Sequence, residues 1–125
     1  MLIRKRIEID RTPLLYCLLG DVTRKHEFYE EAWNLSGGRF ARAQRSLGNY
    51  YFAQGEYRKS IEAFDLALRI NPMYDKAWFK LGCAAIQVQA WEQAQSAFLR
   101  VVALDPEEAQ AWSNLATAHL RCNRV

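Results

Sequence analysis

From Arg39 onward the apolar residues of this chain return with a period of 34. Pro72 comes back as Pro106, Trp78 as Trp112 and Leu81 as Leu115, while Leu81, Gly82 and Phe98 have Leu47, Gly48 and Phe64 as earlier counterparts. Within one period Trp78, Leu81, Gly82 and Ala85 stand at i, i+3, i+4 and i+7, which puts them on one face of a helix. Ala94, Phe98 and Val101 make a second stripe of the same kind. Each period therefore predicts two antiparallel helices. A single pair cannot bury both of its stripes, so neighbouring pairs must stack and share a core. This reading places Pro72 and Pro106 in the first turn of a helix, where proline is tolerated, marking the handover between units. Trp33, Trp78, Trp91 and Trp112 are assigned to the core.

The same logic divides the chain. Residues 1–11 alternate apolar and charged side chains with no partner strand elsewhere, and a poorly ordered leader is expected there. Residues 12–125 are expected to form one domain, with a degenerate unit over 12–38, full units over 41–74 and 75–108, and the first helix of a truncated or capping unit over 109–125. Thr12-Pro13 reads as an N-cap followed by proline at the first helical position, opening a helix to about Thr23. A second helix is predicted from about Glu27 to Leu35, ended by Gly37-Gly38. Gly20 precedes Gly48 by 28 residues, six short of the period, so this first hairpin is expected to be clipped. Gly55 supplies the turn of the first full unit. Its counterpart Gln89-Ala90 lacks glycine, and a positive φ there would cost on the order of 1 kcal/mol. Asp105-Pro106-Glu107-Glu108 is read as the start of the last helix, with an N-cap, a proline and two acids at the positive end of the helix dipole.

A period of 34 carrying Trp, Leu-Gly, Ala, Phe and Pro at fixed offsets is similar to the tetratricopeptide repeat pattern. The fold it implies is all-α: a right-handed superhelical stack of antiparallel helix pairs, a tetratricopeptide solenoid of about seven helices. Beyond the generic repeat, Cys17-Leu18-Leu19-Gly20-Asp21-Val22, Tyr29-Glu30-Glu31-Ala32-Trp33 and Ala41-Arg42-Ala43-Gln44-Arg45-Ser46-Leu47-Gly48 resemble the central part of the tetratricopeptide repeat protein twenty-seven family, the likeness running over residues 13–122. That resemblance implies an adaptor linked to chaperone-assisted assembly, in eukaryotic proteins that are much longer. Residues 1–11 depart from the family.

In a stack of this kind the first helices line a concave wall, and the positions facing away from the Trp/Leu stripe are the candidate contacts. They are Arg42, Arg45 and Asn49 in one unit, Lys76, Phe79, Lys80 and Cys83 in the next, and Gln110 and Asn114 in the last helix. The four cations have no acid among them on that face. A groove for an acidic or carboxylate-ended peptide is expected, with Arg45 and Lys80 as the main charge contacts and Phe79 as an apolar floor. Chaperone-binding members of the repeat class hold a terminal carboxylate in a clamp of Lys and Asn, then Asn, then Lys and Arg. Arg45 and Asn49 resemble the first pair, but Lys80 stands where Asn belongs and Gln110 and Asn114 replace the final pair. An intact clamp is therefore not expected.

Composition narrows the remaining classes. Residues 75–108 hold 3 basic and 5 acidic side chains, too weak a cationic stripe to make nucleic acid an expected partner. Cys17, Cys83 and Cys122 are widely spaced, which fits reduced thiols and not a disulfide framework. With no secretory leader pattern and no apolar run of membrane-spanning length, a cytoplasmic or nuclear location is expected and no membrane partner. His119, Cys122, Cys17 and His26 lack the compact spacing of metal ligands, so no metal or other cofactor is expected. Cys83 has no base near it in sequence, and no phosphate loop surrounds Gly37-Gly38. The function expected is a non-enzymatic protein-protein interaction module that binds a peptide or partner helix on its concave face. The alternatives are an RNA-processing helical-repeat scaffold, or a homodimer formed through the apolar stripe of Trp112, Leu115 and Leu120 on the last helix.

Overall fold

Seven helices and no strand make up residues 12–123, the part of the chain that the computed structural model describes. The leader expected over residues 1–11 lies outside the described residues. In chain order the helices are α1 (Pro13–Thr23), α2 (Glu27–Leu35), α3 (Ala41–Ala53), α4 (Tyr57–Ile70), α5 (Asp75–Gln87), α6 (Trp91–Leu104) and α7 (Ala109–Cys122). Each packs on the next, and short turns make the neighbours antiparallel. In addition α1 touches α3 and α3 touches α5, so these three share one wall.

The hairpins are held by a glycine set against an aromatic ring. Residues equidistant from the turn face each other in an antiparallel pair, as Gly48 and Phe64 do about Glu56, and Gly82 and Phe98 about Ala90. A Cβ on Gly48 would stand 2.7 Å from the Phe64 ring, and one on Gly82 would stand 2.6 Å from the Phe98 ring. Both rings are fully buried. Glycine costs a helix interior about 1 kcal/mol, and the seat it makes for a buried phenylalanine offsets that. Beside Gly48 the buried Ser60 Oγ donates to the Gly48 carbonyl at 2.8 Å, so its hydroxyl is satisfied.

Three clusters of buried side chains follow one another along the stack. Tyr16, Cys17, Ala32 and Ala43 form the first, Phe64, Leu68, Ala77, Leu81 and Ala97 the second, and Ala85, Phe98, Val101, Ala111 and Ala118 are among those of the third. Each draws on at least three helices, which is how a stack buries stripes that one pair leaves open.

The linkers repeat as well. Asn71 and Asp105, with φ −134° and −140°, take the extended backbone that a following proline favours. Asn71 Oδ1 accepts from the Met73 amide at 3.1 Å and Asp105 Oδ1 from the Glu107 amide at 3.3 Å. Two expectations are corrected here. Pro72 and Pro106 lie in the turn ahead of the helix, and Asp105, its side chain spent on that turn, does not cap α7. That helix starts at Ala109 with no side-chain cap and no acid in its first turn.

The tryptophan assignment is corrected in part: Trp33 and Trp78 pack against the core clusters, whereas Trp112 stands half outside. Trp78 Nε1 donates to the Pro72 carbonyl at 2.7 Å and Trp112 Nε1 to the Pro106 carbonyl at 2.8 Å. The indole N–H needs a partner, which holds each ring at the edge of the core. Trp33, Trp78 and Trp91 are half-buried and Trp112 is 49% exposed.

Positive φ occurs at Gly55 (76°) in the α3–α4 turn, at Gln89 (60°) in the α5–α6 turn and at Arg24 (60°) after α1. Thr12 Oγ1 accepts from the Leu15 amide at 3.2 Å and caps α1, with Pro13 at its first position.

Candidate functional site

On α3, Arg42, Arg45, Ser46 and Asn49 stand at i, i+3, i+4 and i+7, so one helical face carries all four. On α5, Lys76 and Lys80 are one turn apart and point toward them. Between the two helices lies a cavity of about 300 Å³ lined by these six residues and by Asp21 of α1, with Phe64 and Ala77 beneath. Four cations and one acid border it.

Three of the four cations are placed by a specific contact. Lys80 Nζ donates to Asn49 Oδ1 at 2.7 Å and lies 5.9 Å from the Phe52 ring centre. The Arg45 guanidinium sits 4.3 Å from the centre of the Tyr74 ring, a cation–π stack that fixes its plane and leaves its outer N–H groups free for a ligand. Arg42 Nη2 lies 3.3 Å from Asp21 Oδ2, and Asp21 Oδ1 accepts the Tyr29 hydroxyl at 2.7 Å. Burial, and then that hydrogen bond, push the Tyr29 phenol above its usual range, so it stays a donor. The expectation of a face without an acid is thereby corrected, because α1 supplies one. Asp21 follows Gly20 as Asn49 follows Gly48 and Cys83 follows Gly82. That register is the signal by which the sequence marks it as concave.

The other candidate residues fall elsewhere. Phe79 does not floor the cationic cavity. Its ring meets Phe98 edge-on at 5.6 Å, and with Val101 it lines a neighbouring cavity of about 310 Å³ shared with Lys76 and Lys80 and edged by Asp75, Asp105 and Glu108. Cys83 is half-buried against the third core cluster. Burial pushes its thiol up, as it does for Cys17, which leaves both protonated and poor nucleophiles at neutral pH. Gln110 is exposed and Asn114 half-buried, and neither borders these two cavities. On α7, Leu115 packs on the core whereas Trp112 and Leu120 are exposed. A third cavity, of about 500 Å³, extends over α1 and α2 and is lined by Arg24, Tyr29, Tyr50 and Gln54 together with Asp21, Ser46 and Asn49.

Among the described residues no three His, Cys, Asp or Glu side chains converge as metal ligands, and no helix is long and apolar enough to cross a membrane.

The family model for the TPR repeat matches residues 48–88, and a second tetratricopeptide repeat model matches residues 79–125. The chain belongs to the tetratricopeptide repeat superfamily. Among relatives of this repeat chain, a TPR repeat-containing protein of Schizosaccharomyces pombe is 42% identical over 117 residues, covering 91% of this chain and 14% of the relative. The tetratricopeptide repeat protein 27 homologue of Dictyostelium discoideum is 46% identical over 88 residues, covering 70% of this chain and 10% of the relative. The chain thus spans a small part of the length of these curated relatives. Among solved structures MamA superposes with a TM-score of 0.75 at 21% identity, over 94% of this chain and 73% of MamA. The first TPR domain of Spaghetti, solved with an HSP90 peptide, superposes with a TM-score of 0.70 at 22% identity, over 91% of this chain and 95% of that one. Repeats of this superfamily are protein-protein interaction scaffolds.

Proposed function

We propose that this repeat chain is a non-enzymatic interaction module that takes an acidic or carboxylate-ended peptide segment of another protein into the cavity between α3 and α5. The observation that carries the reading is the cavity itself, where Arg42, Arg45, Lys76 and Lys80 face one acid across about 300 Å³. A carboxylate entering it finds a stacked guanidinium with free donors and two lysines, and charge-assisted hydrogen bonds of this kind are the strong ones. Lys80 and Asn49 are joined before any ligand arrives, which lowers the ordering cost of binding. The Spaghetti domain, whose fold is shared, binds the HSP90 peptide SRMEEVD, itself acidic. We extend the reading to an adaptor role in chaperone-linked assembly, in the cytoplasm or the nucleus, which is what the resemblance to the tetratricopeptide repeat protein twenty-seven family implies.

Fluorescence anisotropy with a labelled acidic peptide tests this. The Arg45→Glu/Lys80→Glu variant is expected to lose about tenfold or more in affinity, since reversal replaces two attractions with two repulsions. Unchanged affinity in that variant would remove the reading.

A further inference from the structure

We infer that Asp21 is a specificity-determining residue of the concave groove: its carboxylate occupies Arg42 from within the chain and confines a partner's acidic group to Arg45, Lys76 and Lys80. The inference rests on the acidic-peptide reading of the same groove. Asp21 is held from two sides, with Oδ1 accepting the Tyr29 hydroxyl at 2.7 Å and Oδ2 lying 3.3 Å from Arg42 Nη2. The Tyr29 ring is itself fixed, because it packs where a Cβ of Gly20 would stand, 2.6 Å from its Cε1. The carboxylate is therefore oriented toward Arg42 by the packing of the α1–α2 hairpin.

The consequence follows from charge. A partner carboxylate that reached Arg42 would have to displace Asp21, exchanging one anion for another with little net gain. Among the described residues Arg45, Lys76 and Lys80 have no carboxylate within ion-pair distance, so a partner's acid adds an interaction there instead of replacing one. Asp21 also borders the larger cavity over α1 and α2, which it shares with Tyr29 and Tyr50. A second acid placed one step toward α1 would meet Asp21 directly and be repelled. The partner segment that fits carries one acidic group between α3 and α5 and an uncharged residue on its α1 side.

The test uses two labelled peptides, one with a single glutamate and one with two adjacent glutamates, titrated against the wild-type chain, D21N, R42Q, D21N/R42Q and, as a reference for a groove contact, Arg45→Gln. Wild type is expected to bind the diglutamate peptide no more tightly than the single-glutamate one, and R42Q to change its affinity for either by less than about twofold. D21N frees Arg42 and is expected to raise affinity for the diglutamate peptide by roughly two- to fivefold, the range of a half-exposed ion pair. Adding R42Q to D21N should cancel that gain. The inference is overturned if D21N leaves the diglutamate affinity unchanged. It is equally overturned if R42Q weakens wild type as much as Arg45→Gln does, or if D21N strengthens both peptides equally in a way that survives R42Q, which would mean a long-range field. In any of these cases a loss of binding in Arg45→Glu/Lys80→Glu keeps the groove reading. Lack of measurable binding of either peptide to wild type would overturn that reading and this inference together.

Discussion

The α5–α6 and α1–α2 hairpins use one packing device for two purposes. In α5–α6, Gly82 makes room for the buried Phe98 ring and the contact is wholly apolar. In α1–α2, Gly20 makes the same room for Tyr29, which sits nearer the turn because the hairpin is shorter. A tyrosine in the phenylalanine's place brings a hydroxyl to the concave wall, where it holds Asp21. The regular hairpin thus supplies core, while the clipped one gives up some core and supplies a polar contact to the groove. Departure from the repeat is, in this molecule, where one determinant of the site arises.

The strongest way to break that comparison is to truncate the two aromatics. Phe98→Ala should cost roughly 3–5 kcal/mol in chemical unfolding, from lost burial and the cavity left behind. Tyr29→Phe, which keeps the ring and removes the hydroxyl, should cost only about 0.5–1 kcal/mol. Equal costs would mean that the two hairpins do not differ as described. Next in size, Gly82→Ala should cost about 1–3 kcal/mol, because its Cβ would fall 2.6 Å from the Phe98 ring and the buried ring has little room to retreat.

The turns sharpen the contrast in the opposite direction. Gly55 and Gln89 both take positive φ, but a side chain is strained there. Gln89→Gly should therefore raise stability by about 1 kcal/mol, read as a higher denaturation midpoint with an unchanged slope. The smallest effect is expected at Glu92, exposed in the first turn of α6, where Glu92→Ala should stay within about 0.5 kcal/mol of wild type.

The seven helices were legible in the sequence because apolar spacing is a local signal, and the period of Leu47, Leu81 and Leu115 locates equivalent faces without any tertiary knowledge. A strained turn at Gln89-Ala90 was legible for the same reason, since its counterpart holds a glycine, and the fold puts the positive φ at Gln89. Contacts across the hairpin were not. Nothing in the spacing of Gly20 and Tyr29 announces their pairing until the turn between them is known, and Asp21 acquires its partners only through that pairing. The indole N–H bonds of Trp78 and Trp112 to proline carbonyls were hidden in another way. Sequence pattern registers tryptophan as bulk, whereas its polar edge decides how deeply it is buried. The cation face was read as one surface, yet the fold divides it. Arg42 is engaged by Asp21, Phe79 and Val101 line a separate cavity, and Gln110 and Asn114 stand apart from both.

The most direct test of the central claim is residue-resolved mapping of an acidic peptide on the isotope-labelled chain by amide chemical-shift changes. Changes concentrated at Arg45, Asn49, Lys76 and Lys80 are predicted, fading toward Arg24 and Gln54. Changes confined to the outer faces of α4 and α6, around the exposed Leu66 and Leu99, would contradict it.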